Sequence, residues 1–302
     1  MKERCLWIDG EFVPFEEAKV HILSHPFGRG SAIFEVISCY DTELGVAVFR
    51  LKDHLNRLKH SAEALMMKVP YSKDQLIKAV RKTARKNDVS NGLIKLIAYY
   101  PGVNLEIMPS DTRASVAIAA LEFGRDISFS KLGEDRYTTA GISKWRKVHP
   151  LTLPVHAKAS GNYLNPMLAK LEVRKRGFKT PILLDLDGHV AEGATESVFI
   201  VKKGKLLTSR LDNILPSITR MSILQIAHDL KIPVAEKKLL PKDLLTCDEA
   251  FFSSTTCKVW PISRIENHKI KPLGPMSLQL KEYFDKILAG KIRKYHRWFS
   301  LV

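Results

Sequence analysis

The sequence predicts an α+β protein of two domains, a small α/β N-terminal domain over 1–122 and a larger β-rich C-terminal domain over 138–302. Three observations predict it. At 302 residues the chain exceeds the usual size of one domain. Strand-like runs alternate with amphipathic helical runs along both halves. Between the halves, Phe123 to Tyr137 is polar, carries Gly124 and Gly133 and has no period, which marks 123–137 as an interdomain linker.

Leu6 to Ile8, the Asp9-Gly10 turn and Phe12-Val13 read as a hairpin. Ala32 to Cys39 and Gly45 to Phe49 form either a helix-to-strand unit or a strand pair. Leu51, Leu55, Leu58, Ala62 and Leu65 share one face of a helix. A second helix starts at Ser72, whose spacing to Gln75 is that of a capping box. Leu93 to Tyr100 and Ala114 to Leu121 read as buried strands. After the linker come a strand over Thr138 to Ser143, a loop with Pro150 and Pro154, and a helix from Asn162 that stops at Gly177. Ile182 to Leu186, Val190-Ala191, Val198 to Val201 and Leu206 to Thr208 make a strand-rich stretch. Helix Thr219 to Leu230, strands Pro233 to Lys237, Ala250 to Ser253 and Val259 to Ile265, and a closing helix from Pro275 follow. The densest basic run, Lys291 to Arg297, is expected in a C-terminal helix.

Composition excludes several classes. Hydrophobic residues make up 45% and charged residues 26%, the balance of a globular chain able to enclose a desolvated site. No run reaches the roughly 18 apolar residues of a membrane span, and the N-terminus lacks an apolar signal region. Cys5, Cys39, Cys247 and Cys257 form no CxxC pair, so neither a disulfide framework nor a metal site is expected, and the expected location is the cytoplasm. The net charge of +16 suits nucleic acid or anionic ligands. Because basic residues are spread along the chain without a nucleic-acid signature, a Lys-rich solvated surface is the expectation.

A few residues stand out chemically. Lys158 lies among small residues at a strand-to-helix junction, where desolvation would free its amine for covalent chemistry with a carbonyl. Taken alone, a lysine is more often a surface residue. Pro216 to Arg220 opens a helix, where backbone N–H groups and hydroxyls make an anion cup or a simple cap. Ser253 to Thr256 offers four hydroxyls after the apolar Ala250-Phe251-Phe252. Arg57 could fork onto a phosphate, or be an exposed helix charge; Glu192 could be an active carboxylate or a turn acid.

In combination these segments are more specific. Phe49-Arg50-Leu51 through His54 to Arg57-Leu58, Lys158-x-x-Gly161-Asn162-Tyr163-Leu164, Leu184-Asp185 with Gly188 and Glu192-Gly193, Ile218-Thr219-Arg220 and Asp248-Glu249 resemble, in order and spacing, the class IV aminotransferases. The likeness runs from Trp7 to about Ile265, and the Lys158 segment looks most like that of branched-chain aminotransferases. The resemblance implies the two-domain D-amino-acid aminotransferase-like fold, a homodimer or a multiple of dimers, and pyridoxal 5'-phosphate as cofactor. It implies that Lys158 holds the cofactor covalently, that Tyr163 bonds its phenolic oxygen and that Glu192 pairs with its ring nitrogen. Arg57, Ile218, Thr219 and Thr255 would hold the phosphate, and Thr256 and Cys257 would approach the substrate carboxylate.

The chain also departs from the family pattern. Ser217 stands for a glycine, Ser197 for an asparagine, and Ser254, Thr256, Cys257 and Lys258 for a Gly-Thr-Ala-Ala-Glu pattern around Thr255. Arg29 stands where an aromatic is common, and Lys95 near an arginine of branched-chain enzymes; both are candidate substrate contacts. The implied activity is transamination between an amino acid, branched-chain or broad L-type, and 2-oxoglutarate. The rivals on the same fold are a D-amino-acid transaminase, favoured by Glu35-Val36 after Phe34, and an aminodeoxychorismate lyase, disfavoured by Gly161-Asn162-Tyr163. A non-catalytic basic binding protein is the remaining alternative, opposed by the joint presence of Lys158, Tyr163, Glu192 and Arg57.

Overall fold

The computed structural model describes residues 3–127 and 136–302. Among these, residues 3–127, Ala157–Gly161 and Ile287–Val302 form one compact unit; 136–156 and Asn162–Lys286 form the other. Of the expected linker, 128–135 lie outside the described residues. The continuous division expected from the sequence is corrected at two places, since Ala157–Gly161 and the C-terminal Ile287–Val302 belong to the first unit.

The first unit is built on a seven-stranded antiparallel sheet, its strands numbered along the chain. These are β1 (Cys5–Ile8), β2 (Glu11–Pro14), β3 (Ile33–Thr42), β4 (Gly45–Phe49), β5 (Gly92–Tyr99), β6 (Ser115–Glu122) and, from the chain end, β15 (Phe299–Leu301). Their order is β15-β4-β3-β5-β6-β1-β2. The segment left open between helix and strand is β3, paired to both β4 and β5. Its alternate residues Ile33, Glu35, Ile37 and Cys39 are fully buried, the period of two that a half-covered sheet produces. That face packs against helices α2 (Leu51–Ala64) and α3 (Lys73–Lys86); a short helix, α1 (His25–Arg29), precedes β3. The capping box at Ser72 and Gln75 is formed in both directions.

The second unit holds a mixed sheet in the order β11-β10-β9-β12-β13-β7-β8. Its strands are β7 (Thr138–Arg146), β8 (Thr180–Leu184), β9 (Ser197–Lys202), β10 (Lys205–Ser209), β11 (Val234–Lys237), β12 (Glu249–Ser253), β13 (Trp260–Ile265) and the short β14 (His268–Lys269). Four helices accompany them: α4 (Leu164–Lys175), α5 (Ile218–Asp229), α6 (Pro241–Leu244) and α7 (Pro275–Leu288). The helix expected from Asn162 begins two residues later, and Val190 makes only an isolated bridge to Leu184. Neither α6 nor β14 has a periodic signal long enough to be read from sequence.

The C-terminal run Lys291 to Arg297 is not an α-helix. Gly290 leaves α7 at φ 79°, a 3-10 turn spans Arg293–Trp298, and β15 then pairs with β4. Burial explains the correction. Tyr295 and Trp298 insert their rings, 4.5 Å apart, and Trp298 meets Phe49 edge-on at 5.7 Å. The Arg50 guanidinium lies 4.7 Å from the Trp298 ring centroid, and the Arg50 backbone N–H donates to Trp298 O at 2.5 Å. Arg50 is the N-cap of α2, so the chain end clasps the start of that helix.

Trp298→Ala should therefore destabilise the first unit by about 3–5 kcal/mol, the cost of deleting a large buried aromatic. Urea unfolding followed by tryptophan and far-ultraviolet signals measures it. A loss below about 1 kcal/mol would show that the clasp is not part of the core.

Candidate functional site

Lys158 is half-buried and its backbone is held from two sides. Its N–H donates to Ser61 Oγ at 2.9 Å, and its carbonyl accepts from Phe34 N–H at 3.0 Å. Ser160 and Gly161 continue the contact with Ala32 and Gly30 (2.7 and 2.8 Å), so 158–161 is tied to the entry of β3 by an isolated bridge at Ala159 and by backbone hydrogen bonds before the 3-10 turn Ser160–Tyr163. Backbone crowds backbone there. A Cβ on Gly30, which stands at φ 67°, would come within 2.9 Å of Gly161 Cα. The Lys158 ammonium sits 4.7 Å from the centroid of the Phe34 ring.

Behind it lies a buried polar cluster. Glu35 accepts from Arg57 Nε at 2.8 Å and Nη2 at 2.6 Å, and from His54 Nδ1 at 2.7 Å. His54, Arg57 and Ser61 recur at three- and four-residue spacing on the face of α2 turned to the sheet. Burial pushes the Glu35 carboxyl upward, but the Arg57 charge and the bonds from Arg57 and His54 outweigh it and hold the carboxyl down at about 2. Burial also holds the His54 pKa below its usual value, against Glu35 and together with the charges of Arg57 and Lys158. His54 is thus a neutral donor, and Glu35 fixes the plane of the Arg57 fork through Nε and Nη2.

In the second unit, α5 opens with Ile218 and Thr219, both buried. Ser217 accepts from Arg220 N–H at 3.2 Å, which leaves the N–H groups of Ile218 and Thr219, the first two of the helix, as its anion-facing donors. The departure from glycine at Ser217 thus turns a flexible approach into a cap. The helix start is anchored by fully buried Arg220, bonded to Ser209 O at 2.7 Å and Glu236 at 2.5 Å. Glu192 is buried and ion-paired with buried Lys147 at 2.5 Å. Tyr163, half-buried, is the N-cap of α4. Thr255 is half-buried and Thr256 exposed in the turn after β12, where Cys257 N–H donates to Ser254 Oγ at 3.3 Å. Lys258 closes that turn at φ 35° and donates from Nζ to Thr255 O.

The substrate candidates of the first unit stand apart in character. Arg29 is exposed at the end of α1 and donates to Leu105 O at 3.2 Å. Lys95 is exposed on β5, with its ammonium 5.5 Å from the same Phe34 ring that Lys158 faces. Three roles escaped the reading from sequence: Glu35 as the partner of Arg57, His54 as a second donor to Glu35, and Lys147 as the partner of Glu192. A charge in the alternating buried run of β3 signals the first, and the i, i+3 spacing to Arg57 signals the second. Lys147 has no local signal.

The donors suit a phosphorylated pyridine aldehyde. Lys158 offers an amine; Arg57, Thr255 and the α5 N-terminus suit a phosphate; and Glu192 suits a protonated ring nitrogen. No helix among the described residues is long and apolar enough to cross a membrane.

Residues 32–265 match the family model of class IV amino-transferases. The branched-chain-amino-acid aminotransferase of Escherichia coli (strain K12) is 34% identical over 305 residues, covering 100% of this chain and 98% of the relative. The crystal structure of the branched-chain aminotransferase of the archaeon Thermoproteus uzoniensis with norvaline has a TM-score of 0.92 at 38% identity, over 98% of both chains. That of the T.th. branched-chain amino acid aminotransferase complexed with N-(5'-phosphopyridoxyl)-L-glutamate has a TM-score of 0.92 at 32% identity, over 100% of this chain and 99% of the other.

Glu35 gives a pH-dependent prediction. Its carboxyl is depressed from 4.5 to about 2, so its contribution to stability is complete above 4.5 and is lost as pH falls from there through 2. Glu35→Gln should cost about 3–5 kcal/mol at neutral pH, because it leaves the Arg57 charge buried without its partner. The gap to the native protein should narrow as pH falls through that window. A gap independent of pH, in thermal unfolding, would show that the ionised carboxylate is not what is lost.

Proposed function

The chain belongs to the class IV aminotransferase family, and from that premise we propose that it is a pyridoxal-phosphate transaminase passing the amino group of branched-chain L-amino acids to 2-oxoglutarate. The observation that carries the reading is the strapping of 158–161 to β3, which presents Lys158 beside the Glu35–Arg57–His54 cluster. When bound, pyridoxal phosphate supplies an electron sink for the substrate Cα. Lys158 would hold the cofactor through Nζ, and its amine would serve as general base and acid toward the substrate Cα proton. In the first unit Arg57, its fork held by Glu35, would be the phosphate donor, and in the second unit Thr255 and the N–H groups of Ile218 and Thr219 would be the donors. Glu192 would pair with the protonated ring nitrogen, and Tyr163 would bond the phenolic oxygen.

Substrate class follows from the relatives and from Arg29. An Arg29 turned into the pocket would attract a substrate carboxylate, whereas here it is exposed and engaged by Leu105 O, in keeping with an apolar side-chain pocket. The phosphopyridoxyl-glutamate complex of the T.th. enzyme fits glutamate as the second partner of the exchange. Cys5, Cys39, Cys247 and Cys257 all being free thiols accords with a cytoplasmic enzyme.

A homodimer is part of the proposal. Ile22, Phe27, Val103, Leu105, Ile107 and Met108 are each more than half exposed. They make one patch, since Ser24 bridges Val103, Asn104 N–H donates to Leu23 O, and His25 Nε2 reaches Ile107 O at 3.0 Å. Contiguous apolar surface of this kind is normally covered.

Borohydride reduction of the loaded protein should fix the cofactor on Lys158, read by peptide mass mapping; label mainly on another lysine would sink the reading. Of L-leucine, L-glutamate and D-alanine, each with a matched 2-oxo acid, L-leucine should have the highest kcat/KM. Arg29→Ala should change all three alike. A D-alanine preference that collapses in Arg29→Ala would move the enzyme to the D-specific branch.

Light scattering should report a dimer or a multiple of it, and Ile107→Asp should weaken the assembly and its activity together. A fully active native monomer would refute the assembly.

A further inference from the structure

Lys147 takes no part in the reading above, yet its ammonium stands 2.5 Å from Glu192 Oε1, with both side chains about nine-tenths buried. The pair is held by its backbone as well as its charges. Lys147, the first residue after β7, donates its N–H to Leu184 O at 2.8 Å, and Glu192 accepts Leu183 N–H through its own carbonyl at 2.8 Å. Two consecutive residues of β8, both buried, thus position the two partners. Ala191 N–H adds a bond to Leu183 O at 2.9 Å, and the next turn is closed by Gly193 N–H on Glu196 O at 2.7 Å. The Glu192 backbone has little freedom, so its remaining freedom is the swing of the carboxylate.

A lone buried carboxylate would turn toward any donor or draw in water. The Lys147 ammonium is a compact point charge, and it stands 2.5 Å from Oε1 of the carboxylate. Removing two ions from water is a poor device for stability alone, because an apolar pair would serve as well or better. The arrangement has a use if the second oxygen, Oε2, is needed for something else.

We propose that Lys147 is a positioning residue for Glu192: its ammonium, held at Oε1, commits Oε2 to the ring nitrogen of bound pyridoxal phosphate. The inference rests on the reading of Glu192 as the partner of that nitrogen. Lys147 touches neither substrate nor cofactor in this role. It acts through Glu192 and through nothing else, and that exclusiveness is what can be tested.

The experiment is a double-mutant cycle on cofactor binding to the full-length protein, with Lys147→Met, Glu192→Gln and the two combined. Pyridoxal phosphate is titrated into each apo-protein and followed by quenching of tryptophan fluorescence and by the visible absorption band. Lys147→Met should raise the Kd by about tenfold and move the band, a coupling in the range seen for residues in contact. In the Glu192→Gln background the same change should alter Kd by less than about twofold, since there is no longer a carboxylate to aim. A purely structural pair predicts the reverse pattern: a lower melting temperature for the apo-protein and an unchanged Kd and band. Lys147→Gln, which keeps a donor toward Oε1 without the charge, covers the case in which methionine does not fold, and it too should weaken binding. Lys147→Arg should restore most of the affinity. A Kd for Lys147→Met and Lys147→Gln within about twofold of native, or an equal loss in both backgrounds, overturns the proposal. Native protein that takes up no cofactor at Lys158 would overturn the underlying reading instead.

Discussion

Glu35 is a carboxylate with no exposed surface, in the face of a sheet otherwise lined by Ile33, Ile37 and Cys39. Desolvating an ion at that depth costs several kcal/mol unless it is fully bonded. The fork from Arg57 and the single donor from His54 supply those bonds, and both come from α2. The register of α2 on the sheet is thereby set, because a slip of one residue would carry Arg57 off the carboxylate. One turn beyond Arg57, Ser61 receives the N–H of Lys158. The helix that carries the Arg57 guanidinium therefore also anchors the segment bearing Lys158. The Arg50–Trp298 contact explains why the last residues of the chain belong with the first strands: they secure the helix start on which this register depends.

The second unit solves a related problem with different parts. Its anion-facing feature is a helix start, and helix starts fray unless capped and anchored. Ser217 caps α5, while Arg220 ties it to Ser209 on β10 and to Glu236 on β11. In each unit a buried arginine paired with a glutamate holds a helix in place. The surplus of positive charge is a separate matter. In its densest run, Lys291, Arg293, Lys294 and Arg297 surround the buried Tyr295 and Trp298 on the solvent side, the placement of a solvated surface rather than of a site.

Departures from the family pattern divide by what they touch. Ser217 is absorbed as a cap, and the hydroxyl-rich turn Ser254–Cys257 is braced internally, with Lys258 bonded back to Thr255 O. These changes keep the chemistry of the donors intact. Arg29 and Lys95 differ in kind, because they are cations brought to the side of the first unit that carries Phe34 and the Leu105 loop.

The sequence by itself determined the strongly periodic elements, the capping box at Ser72, the fold class and the residues of the family pattern, Lys158, Arg57, Glu192 and Ile218-Thr219 among them. Their signals are local, since periodicity, capping and short spacings are written within a few residues of one another. Only the tertiary structure decided that β3 is a strand, that Ala157–Gly161 and the chain end join the first unit, and that Glu35 and Lys147 stand behind the expected residues. Those outcomes rest on pairings distant in sequence: Phe34 with Lys158, Arg50 with Trp298, Glu35 with Arg57, Lys147 with Glu192. A charged residue in a chain looks the same whether it ends in water or in a core. What separates the two is the partner that offsets its desolvation, and that partner is chosen by the fold.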